Sequence, residues 1–131
     1  MRSKFLLGIV VFGLSSCVTV PPNGTNTGNS TLLNQASPKM AQTVRANPQN
    51  SDVWFQLGNE FAEQDQLINA EAAYRQALML GPNVKAQHNL GLVHIRLGIE
   101  ALRSSAEQLP ANDPTRAETR QFLKLMSQAG Y

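Results

Sequence analysis

Between residues 51 and 82, apolar and small side chains recur at the three- and four-residue spacing that gathers them on one face of a helix. Large side chains alternate with small ones, which lets two antiparallel helices approach closely and fill the seam between them. A proline at the end of the stretch cannot continue a helix. The pattern therefore predicts two helices joined by a short turn. The predicted core positions are Trp54, Leu57, Gly58, Phe61, Ala70, Tyr74, Ala77 and Pro82.

The order of these residues resembles the tetratricopeptide repeat, whose pattern runs Trp-x2-Leu-Gly-x2-Tyr, then Ala-x3-Phe, then Pro. The departures are Phe61 in place of Tyr and Tyr74 in place of Phe, and both keep an aromatic ring. The resemblance implies helix pairs that stack side by side and bind other polypeptides. An ordinary helical hairpin with a similar core is the alternative interpretation.

A second, more divergent copy of the pattern follows the first. Pro48 and Pro82 lie 34 residues apart, and the Leu-Gly pair at 57–58 recurs 33 residues later as Leu90-Gly91. These distances match the period of this repeat class. The chain is therefore expected to hold about two full repeats, at about 51–83 and 84–115.

The second half of the second copy departs most from the pattern. Its apolar residues are Leu102, Ala106 and Leu109, and large and small residues have exchanged places relative to the first copy. The apolar stripe is kept, so we still expect a helix there, separate from the helix that carries Leu90. The exchange predicts looser packing between the two helices of this pair.

Half units flank the two copies. Ser37 and Pro38 are typical of the cap and first turn of a short helix, and Asp113-Pro114 opens a final helix at about 114–128. The mostly polar surface positions of that final helix are typical of the terminal cap of a stacked array. The sequence thus predicts an all-α domain over 37–131. We expect a short α-solenoid of about two tetratricopeptide-type units flanked by half-repeat and capping helices.

The N-terminus has the features of a secretory signal. Arg2 and Lys4 precede an uncharged run at 5–14, which is too short to span a bilayer, and small residues lead to Cys17. The sequence Leu-Ser-Ser-Cys at 14–17 resembles the lipobox of bacterial lipoproteins. The resemblance implies removal of residues 1–16 and lipidation of Cys17. A plain signal peptide is the alternative.

The segment that follows, 17–36, is expected to be a flexible linker, because it is uncharged and rich in Pro, Gly, Asn and Thr. Val18 occupies the position where the best-studied Gram-negative lipoproteins carry Asp if they stay at the inner membrane. The resemblance therefore implies an outer-membrane anchor that faces the periplasm. A covalent lipid on Cys17 is the only cofactor that we expect.

Charge and composition disfavour other classes of function. The chain has 11 Lys and Arg residues against nine Asp and Glu, and Arg2 and Lys4 account for the excess. A mature chain with equal numbers of basic and acidic residues is not typical of a nucleic-acid-binding protein. His88 and His94 lie six residues apart, which is not the spacing of a helical metal site. We find no phosphate-binding loop, and Glu60 and Glu63 are interpreted as a solvated face, so we expect neither a metal site nor an enzyme.

The resemblance also implies where a partner binds. In tetratricopeptide proteins the first helix of each pair lines a concave groove. The corresponding positions of this chain would supply apolar area, an amide for a peptide backbone and a guanidinium for a carboxylate. Burial by helix packing is the alternative for Leu92 and Ile95. The groove candidates are Phe55, Asn59, Ala62, Glu63, His88, Leu92, Ile95 and Arg96.

Together these features predict a periplasmic lipoprotein that acts as an adaptor or scaffold in the assembly of an envelope complex. Pilotin-like proteins and scaffolds of cell-wall enzymes are examples of the class that the resemblance implies. The expected partner is a protein or peptide in the cell envelope, with the membrane contacted through the lipid. The alternative is a structural homo-oligomer without a separate client.

Overall fold

A computed structural model describes residues 26–130, and within that part of the chain the secondary structure is entirely helical. Short turns connect the helices, and neighbours in sequence are also neighbours in space. This is the all-α, tetratricopeptide-like solenoid that the sequence predicts. The helices are α1 (Asn26–Gln35), α2 (Pro38–Ala46), α3 (Ser51–Glu63), α4 (Leu67–Leu80), α5 (Val84–Gln108) and α6 (Pro114–Gln128).

Helices α3 and α4 form the predicted hairpin and hold the centre of the core. The side chains of Trp54, Leu57, Phe61 and Tyr74 are at most 2% exposed. Burying a large apolar side chain contributes about 1.5–3 kcal/mol, so each of these four residues stabilises the fold substantially. The buried Trp54 indole N–H also has a hydrogen-bond partner, because its Nε1 donates to the carbonyl oxygen of Pro48 at 2.8 Å.

Local signals in the sequence set the ends of the hairpin. The Asn50 side chain caps α3 by accepting from the backbone N–H of Asp52 at 2.9 Å. The chain reverses between the two helices through Asp65, whose φ of 60° lies in the left-handed region that Asp tolerates better than most residues. Gly81 and Pro82 follow the last turn of α4, and proline prevents the helix from continuing.

Gly58 allows the two helices of the hairpin to meet. A Cβ atom added there would overlap the ring atoms Cδ1 and Cε1 of Tyr74. The corresponding glycine of the second copy, Gly91, is exposed and has no neighbour within 4 Å of an added Cβ. The two Leu-Gly pairs are therefore equivalent in sequence but not in packing.

Helix α2 is attached to α3 through its N-terminus. Ser37 caps α2, and Glu60 of α3 accepts from both the Ser37 backbone N–H at 2.6 Å and the Ser37 Oγ at 2.8 Å. A carboxylate at a helix N-terminus also interacts favourably with the helix dipole. The interpretation of Glu60 as part of a solvated face is therefore wrong, because its carboxylate joins two helices.

Helix α1 occupies most of the segment predicted as a linker. The prediction of a flexible chain over 17–36 is wrong for residues 26–35, which form α1. Leu32 belongs to the main core cluster at 8% exposure, and Leu33 and Ala36 pack against that cluster. The polar, uncharged composition of this segment does not predict a helix. Two adjacent leucines, Leu32 and Leu33, nevertheless supply enough burial to hold it against the core. Residues 17–25, including Cys17, lie outside the described part of the chain.

The second copy differs from the prediction. Two helices were expected within 84–115, but α5 runs unbroken over Val84–Gln108. The turn of the first copy is the polar run Gln-Asp-Gln at 64–66, whereas the equivalent positions, 33 residues later, hold Leu97, Gly98 and Ile99. Leu97 and Ile99 are half-buried inside α5. Apolar residues that gain burial within a helix do not favour a reversal there, so the predicted turn does not form.

Each half of α5 packs against a different neighbour. Leu90 and Val93 of the first half join the core with α3 and α4, while α6 packs on the second half, where Ala106 is buried. The N-cap of α6 is Asp113, which accepts from the Thr115 backbone N–H at 2.8 Å. The hairpin of α5 and α6 thus takes the place of a complete second repeat and a separate cap.

The outer surface of α6 is less polar than the sequence suggests. Phe122 is 47% exposed and Leu125 is 58% exposed, although a terminal helix of a stacked array normally presents a polar face. These two side chains lie three positions apart and therefore share one side of the helix. The end of the array formed by α6 retains apolar surface.

Helices α4 and α5 are also joined by a hydrogen bond. Glu71 of α4 accepts from Arg75 Nε at 2.8 Å and lies 3.2 Å from His94 Nε2 of α5. These hydrogen bonds, first from Arg75 and then from His94, hold the pKa of Glu71 below its ordinary value. The contact is largely open to solvent, so its contribution to stability is small.

Substitution of Gly58 by Ala should destabilise the fold, whereas substitution of Gly91 should not. The Gly58→Ala methyl group overlaps the Tyr74 ring, and overpacking of this kind costs about 1–3 kcal/mol. Gly91→Ala adds a methyl group in open space and improves helix propensity by about 0.5–1 kcal/mol. Urea unfolding followed by circular dichroism measures both. Equal stabilities of the two variants would contradict the assigned packing.

Stability should fall in acid partly through Glu71. Because folding lowers the pKa of this carboxyl, its contribution is complete above its unfolded pKa, about 4.3, and is lost as pH falls through the lower folded pKa. In Glu71→Gln this contribution is absent, so the free energy of unfolding should decline less between pH 6 and 3. Urea titrations at several pH values test this, with Glu107→Gln on the exposed face of α5 as the control. A Glu71→Gln curve parallel to that of the wild type would oppose the assignment.

Candidate functional site

A depression on the surface lies between α3, α4 and α5. It has a volume of about 400 Å³ and opens widely to solvent. We call it the amide depression, because two asparagine side chains from neighbouring helices meet in it. Its lining residues are Asn59, Ala62, Glu63, Tyr74 and Asn89.

Three of these side chains form a hydrogen-bond network. Asn59 Oδ1 accepts from the Tyr74 hydroxyl at 2.8 Å and from Asn89 Nδ2 at 2.9 Å. Asn89 Nδ2 also lies 3.3 Å from the Tyr74 hydroxyl. Burial raises the pKa of Tyr74, so its hydroxyl stays protonated and remains a donor. The network fixes the rotamers of both asparagines at the contact between the first hairpin and α5.

The network does not use all of the polar groups of these side chains. Asn59 employs only its carbonyl oxygen, and Asn89 employs only its amide NH₂, in the hydrogen bonds of the described residues. One amide NH₂ and one carbonyl oxygen therefore remain as a donor and an acceptor. Such a pair matches the carbonyl oxygen and the N–H of an extended peptide backbone.

The α3 members of the predicted groove divide into two groups. Asn59, Ala62 and Glu63 line the amide depression, and Glu63 is exposed at its edge. Phe55 instead packs against the core, where its ring centroid lies 6.0 Å from that of Tyr74 in a tilted arrangement. The expectation that Phe55 is an exposed apolar anchor is therefore wrong, because its ring completes the seam between α3 and α4.

The α5 members are more dispersed. His88 is exposed, and Leu92 is 41% exposed. Ile95 lines a small crevice between α5 and α6, together with Phe122 and Met126, and so is not part of the amide depression. The expectation that Ile95 faces the groove is therefore wrong, because its position on α5 points it toward α6.

Arg96 is already engaged within the chain. It forms an ion pair with Asp65 in the turn between α3 and α4. Both side chains remain substantially exposed, so the pair contributes little to stability and can still be approached by a ligand. The pair ties α5 to the turn at one end of the hairpin.

Sequence reasoning missed three contributors to this region. Tyr74 was assigned only to the core, Asn89 was not among the groove candidates, and Asp65 was not recognised as the partner of Arg96. One signal was available, because Asn89 and Arg96 lie seven residues apart and therefore share a helix face. Tyr74 reaches the depression through its hydroxyl while its ring stays buried, which an apolar pattern does not reveal.

The predicted repeat-core residues are mostly buried. Two of them are not, since Pro82 lies after the end of α4 and Gly91 lies on the exposed side of α5, while Leu90 is buried at 6% exposure. Buried positions of the first copy are Trp54, Leu57, Gly58, Phe61, Ala70, Tyr74 and Ala77. The lipidation candidate Cys17 lies outside the described residues.

Other kinds of site find no support within residues 26–130. No cluster of three His, Cys, Asp or Glu side chains that could bind a metal ion is present in that part of the chain. None of the helices described there combines the length and hydropathy needed to cross a bilayer.

Comparisons with known proteins give partial matches. No family model matches the chain. The cellulose synthase operon protein C of Escherichia coli K12 is 31% identical over 91 residues, which cover 69% of this chain and 8% of that protein. The formate-dependent nitrite reductase complex subunit NrfG of Escherichia coli O157:H7 is 36% identical over 80 residues, which cover 55% of this chain and 40% of that protein.

The chain thus spans less than half of the length of each of these relatives. The similarity, together with the paired helices, supports a tetratricopeptide-like protein whose role is to interact with other proteins. One of the two relatives is by name a subunit of a complex.

Proposed function

We propose that this chain is an adaptor that binds an extended segment of a protein partner in the amide depression. The observation that carries the proposal is the network of Asn59, Tyr74 and Asn89. It holds a donor and an acceptor in place at the contact between neighbouring helical units. Because these side chains are ordered before binding, a ligand pays little entropy to fix them.

The chemistry of the depression restricts the kind of ligand. Amide side chains pair with a peptide backbone regardless of its sequence, so they supply affinity rather than strong selectivity. The depression is acidic, because Glu63 is the one charged side chain among its lining residues. A segment with a basic side chain beside its extended backbone fits this depression best. The proposal gives the chain no catalytic activity of its own.

The N-terminal sequence supports a location for this adaptor. The charged start, the apolar run and the Leu-Ser-Ser-Cys sequence at 14–17 favour cleavage before Cys17 and lipidation of that residue. Val18 in the next position favours the outer membrane. In this proposal the helical domain faces the periplasm and presents its partner to an envelope complex during assembly, as a pilotin-like protein or a scaffold for cell-wall enzymes does.

A structural homo-oligomer is the second candidate. It is favoured by the exposed Phe122 and Leu125 on α6, which leave apolar surface at the end of the array. Stacked repeats normally cover such a surface with a further unit. In this alternative the surface of α6, and not the amide depression, determines the biological role.

Asn89→Ala should weaken partner capture while Gln87→Ala should not. The first variant removes both a network member and a backbone acceptor, and the loss of hydrogen bonds worth about 1–1.5 kcal/mol lowers affinity by about tenfold. Gln87 is a nearby exposed amide outside the depression and serves as the matched control. Crosslinking in the native host, with mass spectrometry of the joined peptides, measures capture.

Two outcomes separate the candidates. Reduced capture by Asn89→Ala with an unchanged oligomeric mass supports the adaptor. Unchanged capture refutes the amide depression as the binding site. Reduced self-association in Phe122→Ala, with no partner peptide found in the wild type, supports the structural oligomer instead. Both variants are checked by circular dichroism, so that a folding defect is not mistaken for lost binding.

Cys17→Ser should release the chain from the membrane fraction. The thiol carries the proposed lipid, and acyl chains contribute about 0.8 kcal/mol for each buried methylene. Metabolic labelling with palmitate should mark the wild type and not the variant. Ser16→Ala keeps a small residue in the predicted motif and serves as the control. An unlabelled wild type would refute the lipid anchor but leave the peptide-binding proposal intact.

A further inference from the structure

The polar groups that the amide depression leaves unused are mostly acceptors. Within the hydrogen bonds of the described residues, the Asn89 carbonyl oxygen and the Glu63 carboxylate have no partner, and the unused donor group is the Asn59 amide NH₂. Asn59 Oδ1 already accepts two hydrogen bonds, so its lone pairs are filled. A ligand that satisfies this site must therefore bring more donors than acceptors.

The charge of the depression selects for the same kind of ligand. Among the described residues that line it, Glu63 is the one charged side chain. Burial is the main cause of the raised pKa of Tyr74, and the Glu63 carboxylate raises that pKa further, so the negative charge is felt at the network. The Arg96 guanidinium on α5 is offset by its ion pair with Asp65. The depression therefore attracts a cation and repels a carboxylate.

The acceptors come from two helices and flank the amide donor. Glu63 and Asn59 are four residues apart on α3, so their side chains are neighbours on one face of that helix. Asn89 approaches from α5, with its Nδ2 atom 2.9 Å from Asn59 Oδ1. A small ligand group can thus contact the Asn59 amide and both acceptors together.

The charged and polar groups of a polypeptide can be compared with this set. An internal peptide unit brings one donor, one acceptor and no charge, and a carboxyl terminus brings acceptors and a negative charge. The side chains of lysine and arginine bring donors and a positive charge, but no acceptor for the Asn59 amide. An amino terminus brings an ammonium group with three donors and, beside it, the carbonyl oxygen of its first residue. Of these groups, the amino terminus alone supplies the donors, the charge and the acceptor together.

We propose that the amide depression binds the free amino terminus of a polypeptide. The ammonium group lies between the Glu63 carboxylate and the Asn89 carbonyl oxygen, and the first carbonyl oxygen accepts from the Asn59 amide. This inference rests on the proposed function, because it names the part of the partner that the same site receives. The depression opens widely to solvent, so the first side chain and the rest of the partner can leave it. The site thus recognises a chain end and not a particular sequence.

Short peptides that differ in their charged group test the class of ligand. The probes are Ala-Ala-Ala-amide, its N-acetylated form, N-acetyl-Ala-Lys-Ala-amide, and N-acetyl-Ala-Ala-Ala with a free carboxylate. In the isotope-labelled full chain, the side-chain NH₂ signals of Asn59 and Asn89 report binding by nuclear magnetic resonance, with those of exposed Asn112 as the internal control. Ala-Ala-Ala-amide should bind at least about fivefold more tightly than each other peptide, because it alone makes the charge-assisted hydrogen bonds and the Asn59 contact together.

Glu63→Gln tests the source of this preference. Glu63 is exposed and takes no part in the hydrogen bonds and ion pairs of the described residues, so the variant should keep the fold. It should bind Ala-Ala-Ala-amide about five- to tenfold more weakly, close to the affinity of the acetylated peptide. Glu107→Gln, on the exposed face of α5, is the matched control and should change neither affinity. A preference for the free amino terminus that persists in Glu63→Gln would overturn the proposal.

The remaining outcomes separate this inference from the proposed function. Equal binding of the free and acetylated peptides, lost in Asn89→Ala, would overturn the amino-terminal inference and leave the proposed function intact. Tightest binding of the lysine peptide or of the free carboxylate, again lost in Asn89→Ala, would do the same. If none of the four peptides shifts the Asn59 and Asn89 signals at millimolar concentration, both the proposed function and this inference are wrong.

Discussion

The close approach of Gly58 to the ring of Tyr74 is the contact on which the rest of the structure depends. It sets the distance between α3 and α4 and thereby determines how Trp54, Leu57 and Phe61 fill the seam. The same placement brings the Tyr74 hydroxyl to Asn59 and so begins the hydrogen-bond network of the amide depression. One steric requirement in the core therefore also positions the polar groups of the candidate site.

The first repeat could be predicted from the sequence because its signals agree at every level. The spacing of large and small residues, the polar turn and the terminal proline all specify the same hairpin. The prediction for the second copy is wrong because one of these signals disagrees with the others. Its repeat spacing is correct, but Leu97 and Ile99 stand where a turn is required and favour a continuous helix instead.

The candidate site could be predicted only in part. The hairpin determines which face of α3 is free, and Asn59 and Glu63 on that face line the amide depression. On α5 the assignment depended on which neighbour packs against each side of the helix. Ile95 faces α6 and Arg96 faces Asp65, and neither contact is visible from periodicity, because both partners are distant in sequence.

The unbroken α5 gives the domain two centres of packing on one helix. Leu90, Val93 and Leu97 of α5 pack with the cluster around Trp54 and Tyr74, whereas Ile99 and Leu102 line a crevice with Phe122 and Met126 of α6. Local openings in a protein follow such divisions of buried apolar contact. Fraying of α6 together with the last turns of α5 would therefore leave the amide depression assembled. The polar network of Asn59, Tyr74 and Asn89 is in this way insulated from local opening of α6.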